Sequence, residues 1–333
     1  MPDQTVDSAE FAELSEPLRH ELQVHCYRLL GSYDEAEDLV QEALLRAWKS
    51  RERFERGSNF RAWLYKVATN ACLDFLRAHQ RTPAPYAELP GMDHGTGAAP
   101  VSIAWLQPAP LPEDSTEARE TIELAFVGGL QHLPPVQRAV SVLRDVLGWS
   151  AADTARLLDT SPASVNSALQ RARSTLRSRL PARREEWRRA RGPSEEERKI
   201  LDRYIAAVES LDAAEIANVL RDDVVLTMPP NPFWFHGRDA MLSFVMRSLD
   251  PASPTFLGHW RSTPTTVNTM PACANYVRLP GTTVYRAQVL DVLRIEGDRV
   301  AEITSFEPHH FIRLGLPLVL PEQSRGDDRR SRR

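Results

Sequence analysis

Cysteine is scarce in this 333-residue chain: Cys26, Cys72 and Cys273 stand far apart and form no CxxC pair. An odd, scattered set argues against a disulfide framework and reads as buried thiols in a reducing compartment. Long apolar runs are missing too, and no basic-then-apolar stretch opens the N-terminus. Neither a membrane span nor a secretory signal is expected, and the expected location is cytoplasmic. The third absence is local. Residues 83–117 contain no Lys or Arg, yet hold five acids and seven prolines.

What is present is charge, sorted along the chain. The net charge of −4 hides nine Lys or Arg against three acids in residues 44–81, and nine Arg against two acids in residues 171–191. Both basic stretches suit phosphates. The length exceeds one ordinary core and predicts two or three domains. No internal repeat is found.

Residues 10–82 read as helices, the first from Pro17 to Leu30. Next comes "DEAEDLVQEALLRAWKS", residues 34–50. Leu39, Val40, Ala43, Leu44, Ala47 and Trp48 form a stripe at helical period, and Glu35, Asp38 and Glu42 share the opposite face with Gln41 beside them. Two readings fit: a solvated helix start whose acids suit the dipole, or a docking face. After "ERFERGSN" a third helix, Phe60 to about Ala78, buries Phe60, Leu64, Val67, Ala71 and Phe75. Trp63, Lys66, Asn70 and Arg77 fall on a neighbouring face. Aromatic rings among cations suit single-stranded nucleic acid, although Trp63 and Tyr65 also suit a core.

Residues 118–182 return to helices. "SAADTARLLDTSPASVNSALQRARSTLRSRL" predicts a short helix, a tight "DTS" turn and a longer helix with Ser161 as N-cap and Pro162 at its first position. Val165, Leu169, Ala172 and Leu176 must face a core, leaving Ser164, Asn166, Ser167, Gln170, Arg171 and Arg173 outward. Asn, Gln and Arg can bond two base-edge atoms at once, so this pattern predicts a helix-turn-helix; a solvated basic helix is the bland alternative. Arg177, Arg179, Arg183 and Arg184 add nonspecific phosphate attraction. Residues 195–321 begin with helices and continue with the β-like runs "DVVLTM", "ANYVRL", "VYRAQVLDVLRIEGD" and "RVAEITSF", an α+β domain with a mostly antiparallel sheet. Trp234, His236, His259, Trp260, Tyr276 and His309 are candidates to line a cavity there, with core or rim roles as the alternative. His309-His310 lacks the spaced partners of a metal site, so neither metal nor cofactor is expected. Residues 322–333 read as a disordered tail.

Residues 17–180 resemble regions 2 and 4 of sigma-70-type factors of the extracytoplasmic-function group, in the right order and joined by a proline-rich linker. "DLVQE" and the two quoted helical blocks carry the likeness. "YIAAVESLD", "VLTMPPNPFWFHGRDAMLSFV" and "RVAEITSFEPHHFIRLGLP" resemble SnoaL-like domains, helices followed by a curved sheet closed into a cone. The implied fold is multidomain: two all-α modules, a region 2 bundle and a region 4 helix-turn-helix, plus an α+β SnoaL-like cone. The implied function is a non-enzymatic subunit that binds core RNA polymerase and directs it to promoter DNA, its activity modulated by the C-terminal domain.

Carried over, the resemblance puts Glu35, Asp38, Gln41 and Glu42 on the polymerase clamp helices. It puts Phe54, Asn59, Trp63, Lys66 and Asn70 on the minus-10 element, one base of which is flipped into a pocket. The outward residues of the recognition helix meet the minus-35 element. The family commonly has basic residues where this chain has Asn166 and Ala168, which shifts phosphate anchoring towards Arg171 and Arg173. "WLQPAPLPED" resembles a linker segment of actinobacterial sigma factors with a fused C-terminal domain, and Trp105 is expected to be a regulatory contact; a plain polyproline spacer is the alternative. A small ligand in the C-terminal cavity is a further expected partner. Two rival classes stay open: a ligand-sensing helix-turn-helix regulator, and a DNA-binding module fused to an isomerase or cyclase.

Overall fold

A computed structural model describes residues 7–54, 58–110, 123–179 and 192–321. The chain forms two compact units, one from Met1–Ala84 with Ile103–Arg191 and one from Pro85–Ser102 with Gly192–Arg333. The acidic linker is therefore divided between them. Arg183, Arg184 and the tail lie outside the described residues.

The first unit is helical. Asp7 caps α1 (Ser8–Ser15), and a 3-10 turn, Glu16–Leu18, leads into α2 (Arg19–Leu30). The helix expected from Pro17 thus begins two residues later, after that tighter turn. Gly31, at φ +75, ends α2 in the left-handed conformation, and Ser32 caps α3 (Tyr33–Lys49). Asn59 caps α4 (Phe60–His79) through its side chain, which accepts from Ala62 N at 3.0 Å. Then follow α5 (Leu124–Gln131), α6 (Pro135–Ser141) running into a wider π turn over Val142–Val146, α7 (Ala151–Leu157) and α8 (Pro162–Arg179).

One apolar core runs through all of these. Leu22, Leu29, Ala43, Leu64 and Cys72 from α2–α4 are continuous with Val127, Leu130, Leu143, Ala172 and Leu176 from the later helices. The two helical modules are therefore packed on each other. Val165, Leu169, Ala172 and Leu176 are all buried, as their spacing predicts, and so is Ala168.

The second unit opens on α9 (Glu195–Ser210), held by a capping box between Ser194 and Glu197, and α10 (Ala213–Val219). A small ribbon, β1 (Ala84–Pro85) with β2 (Val101–Ser102), precedes the main sheet in the chain. The main sheet comprises β3 (Leu220–Thr227), β4 (Trp234–His236), β5 (His259–Val267), β6 (Met270–Arg278), β7 (Val284–Glu296), β8 (Arg299–Phe306) and β9 (Val319–Pro321), with α11 (Arg238–Leu249) and α12 (His310–Arg313). Its order is β4-β3-β8-β7-β6-β5, with β9 on β7. All pairings are antiparallel except β3 with β8. The "EGD" hairpin joins β7 to β8 around Gly297 at φ +65. Strand β5, "HWRSTPTTV", has only Val267 buried, the pattern of an edge strand, whereas Pro271 to Val277 of β6 beside it are all buried. The three cysteines are buried and free.

Candidate polymerase and nucleic-acid interface

On α3 the acidic face divides into engaged and open groups. Glu35 is half-buried and paired with Arg81, whose Nη1 donates to Oε2 at 2.7 Å. Glu42 accepts from Arg46 at 2.5 Å, and Arg46 reaches on to Asp74 at 3.2 Å. Asp38 and Gln41 are exposed and have no hydrogen bond or ion pair among the described residues. Leu45, 59 % exposed, adds an apolar group to the same helix. A carboxylate and an amide projecting beside a bare Leu make a surface suited to a basic partner.

Around α4 the rings form one cluster. Phe54 is buried, with its ring 5.2 Å from Trp63 and 5.3 Å from Phe60, and Phe11 of α1 closes the far side against Phe60 and Trp48. Asn70 is half-buried and free of hydrogen bonds among the described residues. Asn59 is occupied as the cap described above. Lys66 is engaged as well: its Nζ lies 2.7 Å from Asp159 Oδ1 and 3.4 Å from the Arg156 carbonyl oxygen, both in the helix-turn-helix. Tyr65 faces Trp149 at 5.5 Å. The face of α4 that carries Lys66 and Tyr65 is thus partly covered by the second helical module.

Beneath that cover sits a buried polar junction. Arg138, 3 % exposed, donates to Leu29 O, Gln131 Oε1, Gln131 O and Leu133 O. Burial lowers its pKa to about 10, so it stays charged at neutral pH. Trp105 joins the junction through Nε1, 3.2 Å from Gln131 Oε1, and Arg81 lies 5.6 Å above its ring. The described partners of Trp105, Gln131 and Arg81, both belong to the first unit. Gln107, two residues on, plugs the α2–α3 corner. Its backbone N donates to Gly31 O at 2.9 Å, and its Oε1 accepts from Ser32 Oγ and Asp34 N at 3.1 and 3.0 Å. Nothing in the linker's composition marks Gln107 for this role.

On α8, Ser161 caps the helix and bonds the Ser164 hydroxyl at 2.9 Å, while Arg173 pairs with Asp145 at 2.5 Å. Asn166, Ser167, Gln170 and Arg171 are exposed without partners among the described residues. They form one uninterrupted polar face.

In the second unit, linker residues 86–97 lie as a strap against β3 and β4. Leu89 N donates to His94 Nε2 at 2.9 Å, so Nδ1 carries the proton and donates to Trp234 O at 2.6 Å. The two rings stack at 4.5 Å, and Trp234 Nε1 donates to Ala87 O at 3.0 Å. His236 N donates to His94 O at 2.8 Å. A Cβ on Gly95 would stand 1.8 Å from His236 O, and one on Gly97 1.4 Å from His236 Nδ1. Only glycine permits this approach. The signal in the sequence is the Gly-x-Gly at residues 95–97, whose partner no spacing reveals.

The same unit contains a cavity of about 410 Å³. Of the aromatic and histidine candidates, Trp260 lines it; Trp234 and His236 serve the strap, Tyr276 packs on Phe311, His259 is exposed and His309 pairs with Glu307. Asp291, in the apolar strand "VLDVL", also lines it and accepts from Tyr204 OH, Asn275 Nδ2 and Ser305 Oγ at 3.1, 2.7 and 2.5 Å. Burial pushes its pKa up.

Residues 15–82 match Sigma-70 region 2, residues 123–176 match Sigma-70, region 4, and residues 201–303 match the SnoaL-like domain. The ECF RNA polymerase sigma factor SigG of Mycobacterium tuberculosis is 39 % identical over 318 residues, which cover 92 % of this chain and 84 % of that protein. This chain is an ECF sigma factor. SigW of Bacillus subtilis is 31 % identical over 179 residues, 52 % of this chain and 90 % of that one. The crystal structure of the extracytoplasmic function sigma factor SigJ of Mycobacterium tuberculosis shares the fold, with a TM-score of 0.60 at 23 % identity, across 92 % of this chain and 99 % of that one.

In this sigma factor, α2–α4 are region 2, α5–α8 are region 4, and the sheet unit is the SnoaL-like domain. No described helix is long and apolar enough to cross a membrane.

Proposed function

We propose that Asp38, Gln41 and Glu42, with Glu35 braced behind them by Arg81, dock this sigma factor on the clamp helices of core RNA polymerase. Phe54, Trp63, Lys66 and Asn70 take the non-template strand of the minus-10 element, and Asn59 orders the start of the helix that carries them. Asn166, Ser167, Gln170 and Arg171 enter the minus-35 major groove, with Ser164 and Arg173 on its phosphates. The factor works in the cytoplasm and does no chemistry of its own. Its C-terminal domain sets activity by holding the linker strap, and the cavity of that domain is a ligand pocket.

One observation carries the regulatory part: residues 86–97 of the linker are threaded onto β3 and β4, with glycine at both points of closest approach. A linker held there is not free to follow the polymerase surface. The free sigma factor is therefore held back, the more so because Lys66 is occupied by Asp159. Run-off transcription with purified core polymerase on genomic promoter fragments tests the whole reading, with the full chain compared against residues 1–192. Transcripts from both, more abundant with the shorter chain, are expected. Absence of transcripts from either would sink the reading, and equal output would remove the regulatory clause.

A further inference from the structure

Two groups at the wall of the C-terminal cavity have hydrogen-bonding capacity to spare, and they are of opposite kinds. Trp260 lines the cavity, and its Nε1–H is buried with no acceptor among the described residues. A donor shut away from water in that state is retained at a cost, and a bound acceptor removes the cost. Asp291 lines the same cavity, and its oxygens are unequally used. Oδ2 accepts from both Tyr204 and Asn275, while Oδ1 accepts only from Ser305. A carboxylate offers roughly two acceptor positions on each oxygen, so one on Oδ1 stays open.

The remaining wall is mostly apolar, with Leu226, Met241, Phe244 and Ile303 on it. The volume of about 410 Å³ falls within the range of small-molecule sites. Charge narrows the class further. Three donors already share the Asp291 carboxylate, so a neutral hydroxyl completes its shell, while an anionic ligand would meet both Asp291 and Glu307 at the wall.

The wall also touches the strap. Phe244 stacks on Phe235 with centroids 4.4 Å apart, and Phe235 stacks on His94 at 5.6 Å. Three rings in series thus join the cavity to the linker's anchor. A molecule that shifts Phe244 bears on His94, and any such coupling acts in both directions.

We propose that the cavity binds a neutral, largely apolar small molecule that gives a hydroxyl to Asp291 and an oxygen acceptor to Trp260, and that the linker strap senses its occupancy through Phe244 and Phe235. The proposal rests on the reading of this cavity as a ligand pocket, and the test separates the two. Isothermal titration of the full chain compares 4-hydroxybenzophenone, which has both groups, with diphenylmethane, the same frame with neither. The expected result is one saturable site that prefers the hydroxyketone by roughly tenfold or more. Trp260→Phe, which keeps an aromatic ring and removes the N–H, should reduce that preference severalfold and leave the part owed to Asp291. Leu257→Trp, a space-filling change at a partly exposed wall position, should weaken both compounds and serves as a check independent of Trp260. Amide exchange across residues 86–97 should change when the hydroxyketone is bound.

Equal affinity for the two compounds, or a preference that Trp260→Phe leaves unchanged, overturns the proposed chemistry while leaving a ligand pocket. No saturable binding of either compound up to its solubility overturns both the chemistry and the pocket. Binding with unaltered exchange in the strap overturns the sensing.

Discussion

Lys66 Nζ lies 2.7 Å from Asp159 Oδ1, and this contact joins α4 of region 2 to the turn of the region 4 helix-turn-helix. The pair is solvent-accessible, with Lys66 37 % and Asp159 72 % exposed at the side chain, so it contributes about 1 kcal/mol or less. Its interest lies in what it occupies. Asp159→Asn removes the charge and keeps a side chain that tolerates the φ of +50 at this turn. The variant should keep its melting temperature within a few degrees. It should bind a labelled single-stranded minus-10 oligonucleotide roughly two- to fivefold more tightly, an increase matching the energy of one exposed pair. Unchanged affinity, read by fluorescence anisotropy, would mean that Lys66 does not serve that strand.

Arg138 makes the stronger clasp. Its guanidinium is buried and bonded to four oxygens, one of them Leu29 O at the end of α2, so its loss leaves several carbonyls without a donor. Arg138→Met keeps an unbranched apolar stem and removes every donor. A cost of about 3 kcal/mol is expected, seen as a fall of roughly 10 °C in the melting of the first unit. Amide exchange at the C-terminal turn of α2 should rise with it. A variant melting as the parent does would show that regions 2 and 4 are held by apolar packing alone.

Much of this arrangement can be read in the residues, and the rest has a physical reason for being hidden. The stripe Leu39, Val40, Ala43 and Leu44 and the core set Val165, Leu169, Ala172 and Leu176 follow from helical period, because burial in a bundle repeats every three to four residues. The partners of Lys66, Arg46 and Glu35 do not. Each is charged and each is expected to face outward, yet each is engaged by a residue 28 to 93 positions away. Periodicity reports which face is polar and is silent on what meets it. The strap is hidden for another reason. Linker composition describes how a chain behaves in solvent, whereas His94 and Gly95 are placed by Trp234 and His236, 140 residues on in the case of His94. Asp291 breaks the apolar run of β7 and so marks an inward-facing acid, but its three donors come from three other elements.

The first unit should lose stability in acid through His25. Burial, followed by the neighbouring Arg28 and Arg61, lowers its pKa from 6.5 to about 3, and its Nε2 lies 2.9 Å from Thr69 Oγ. Between those values the unfolded chain binds a proton that the folded one refuses, so stability is complete above pH 6.5 and declines as pH falls towards 3. At pH 5 the loss relative to pH 7 should be about 2 kcal/mol from this group. His25→Gln keeps a polar partner for Thr69 and does not titrate. Urea unfolding at the two pH values should therefore show a smaller difference for the variant, and equal differences would place the acid sensitivity elsewhere.

Gly97→Val tests the strap directly. The added Cβ would stand 1.4 Å from His236 Nδ1, and with Gly95→Val beside it a second Cβ would stand 1.8 Å from the backbone oxygen of His236, so in the double variant residues 86–97 should leave β4 while the sheet beneath keeps its own pairing. Limited proteolysis should open a new cleavage site between Tyr86 and Gly97, with far-ultraviolet circular dichroism little changed. In run-off transcription this double variant should match or exceed the parent. Reduced output with normal polymerase binding would reverse the sign assigned to the strap, making it an activating contact.

Asp38 and Glu42 distinguish a docking face from a solvated helix start. Both carboxylates are exposed on α3; Asp38 has no partner among the described residues, and Glu42 is tied only within a surface network of Arg46 and Asp74. Reversing Asp38 to Arg should alter folding stability by no more than about 0.5 kcal/mol, since nothing packs on it. Adding Glu42→Lys sets a like charge beside Arg46 and should cost a further ~0.5 kcal/mol. A helix that merely faces water tolerates both changes in every assay. A face that meets a basic surface does not, because each reversal replaces an attraction with a repulsion. The double variant should thus melt close to the parent and bind core polymerase at least roughly a hundredfold more weakly, about 3 kcal/mol spread over two sites. Gln41→Ala, which changes no charge, should lose tenfold or less, on the order of one hydrogen bond. Co-purification of the double variant with core polymerase at the parent's yield would return the acids of α3 to the role of a solvated helix start, and Leu45 would then be the residue to test for docking.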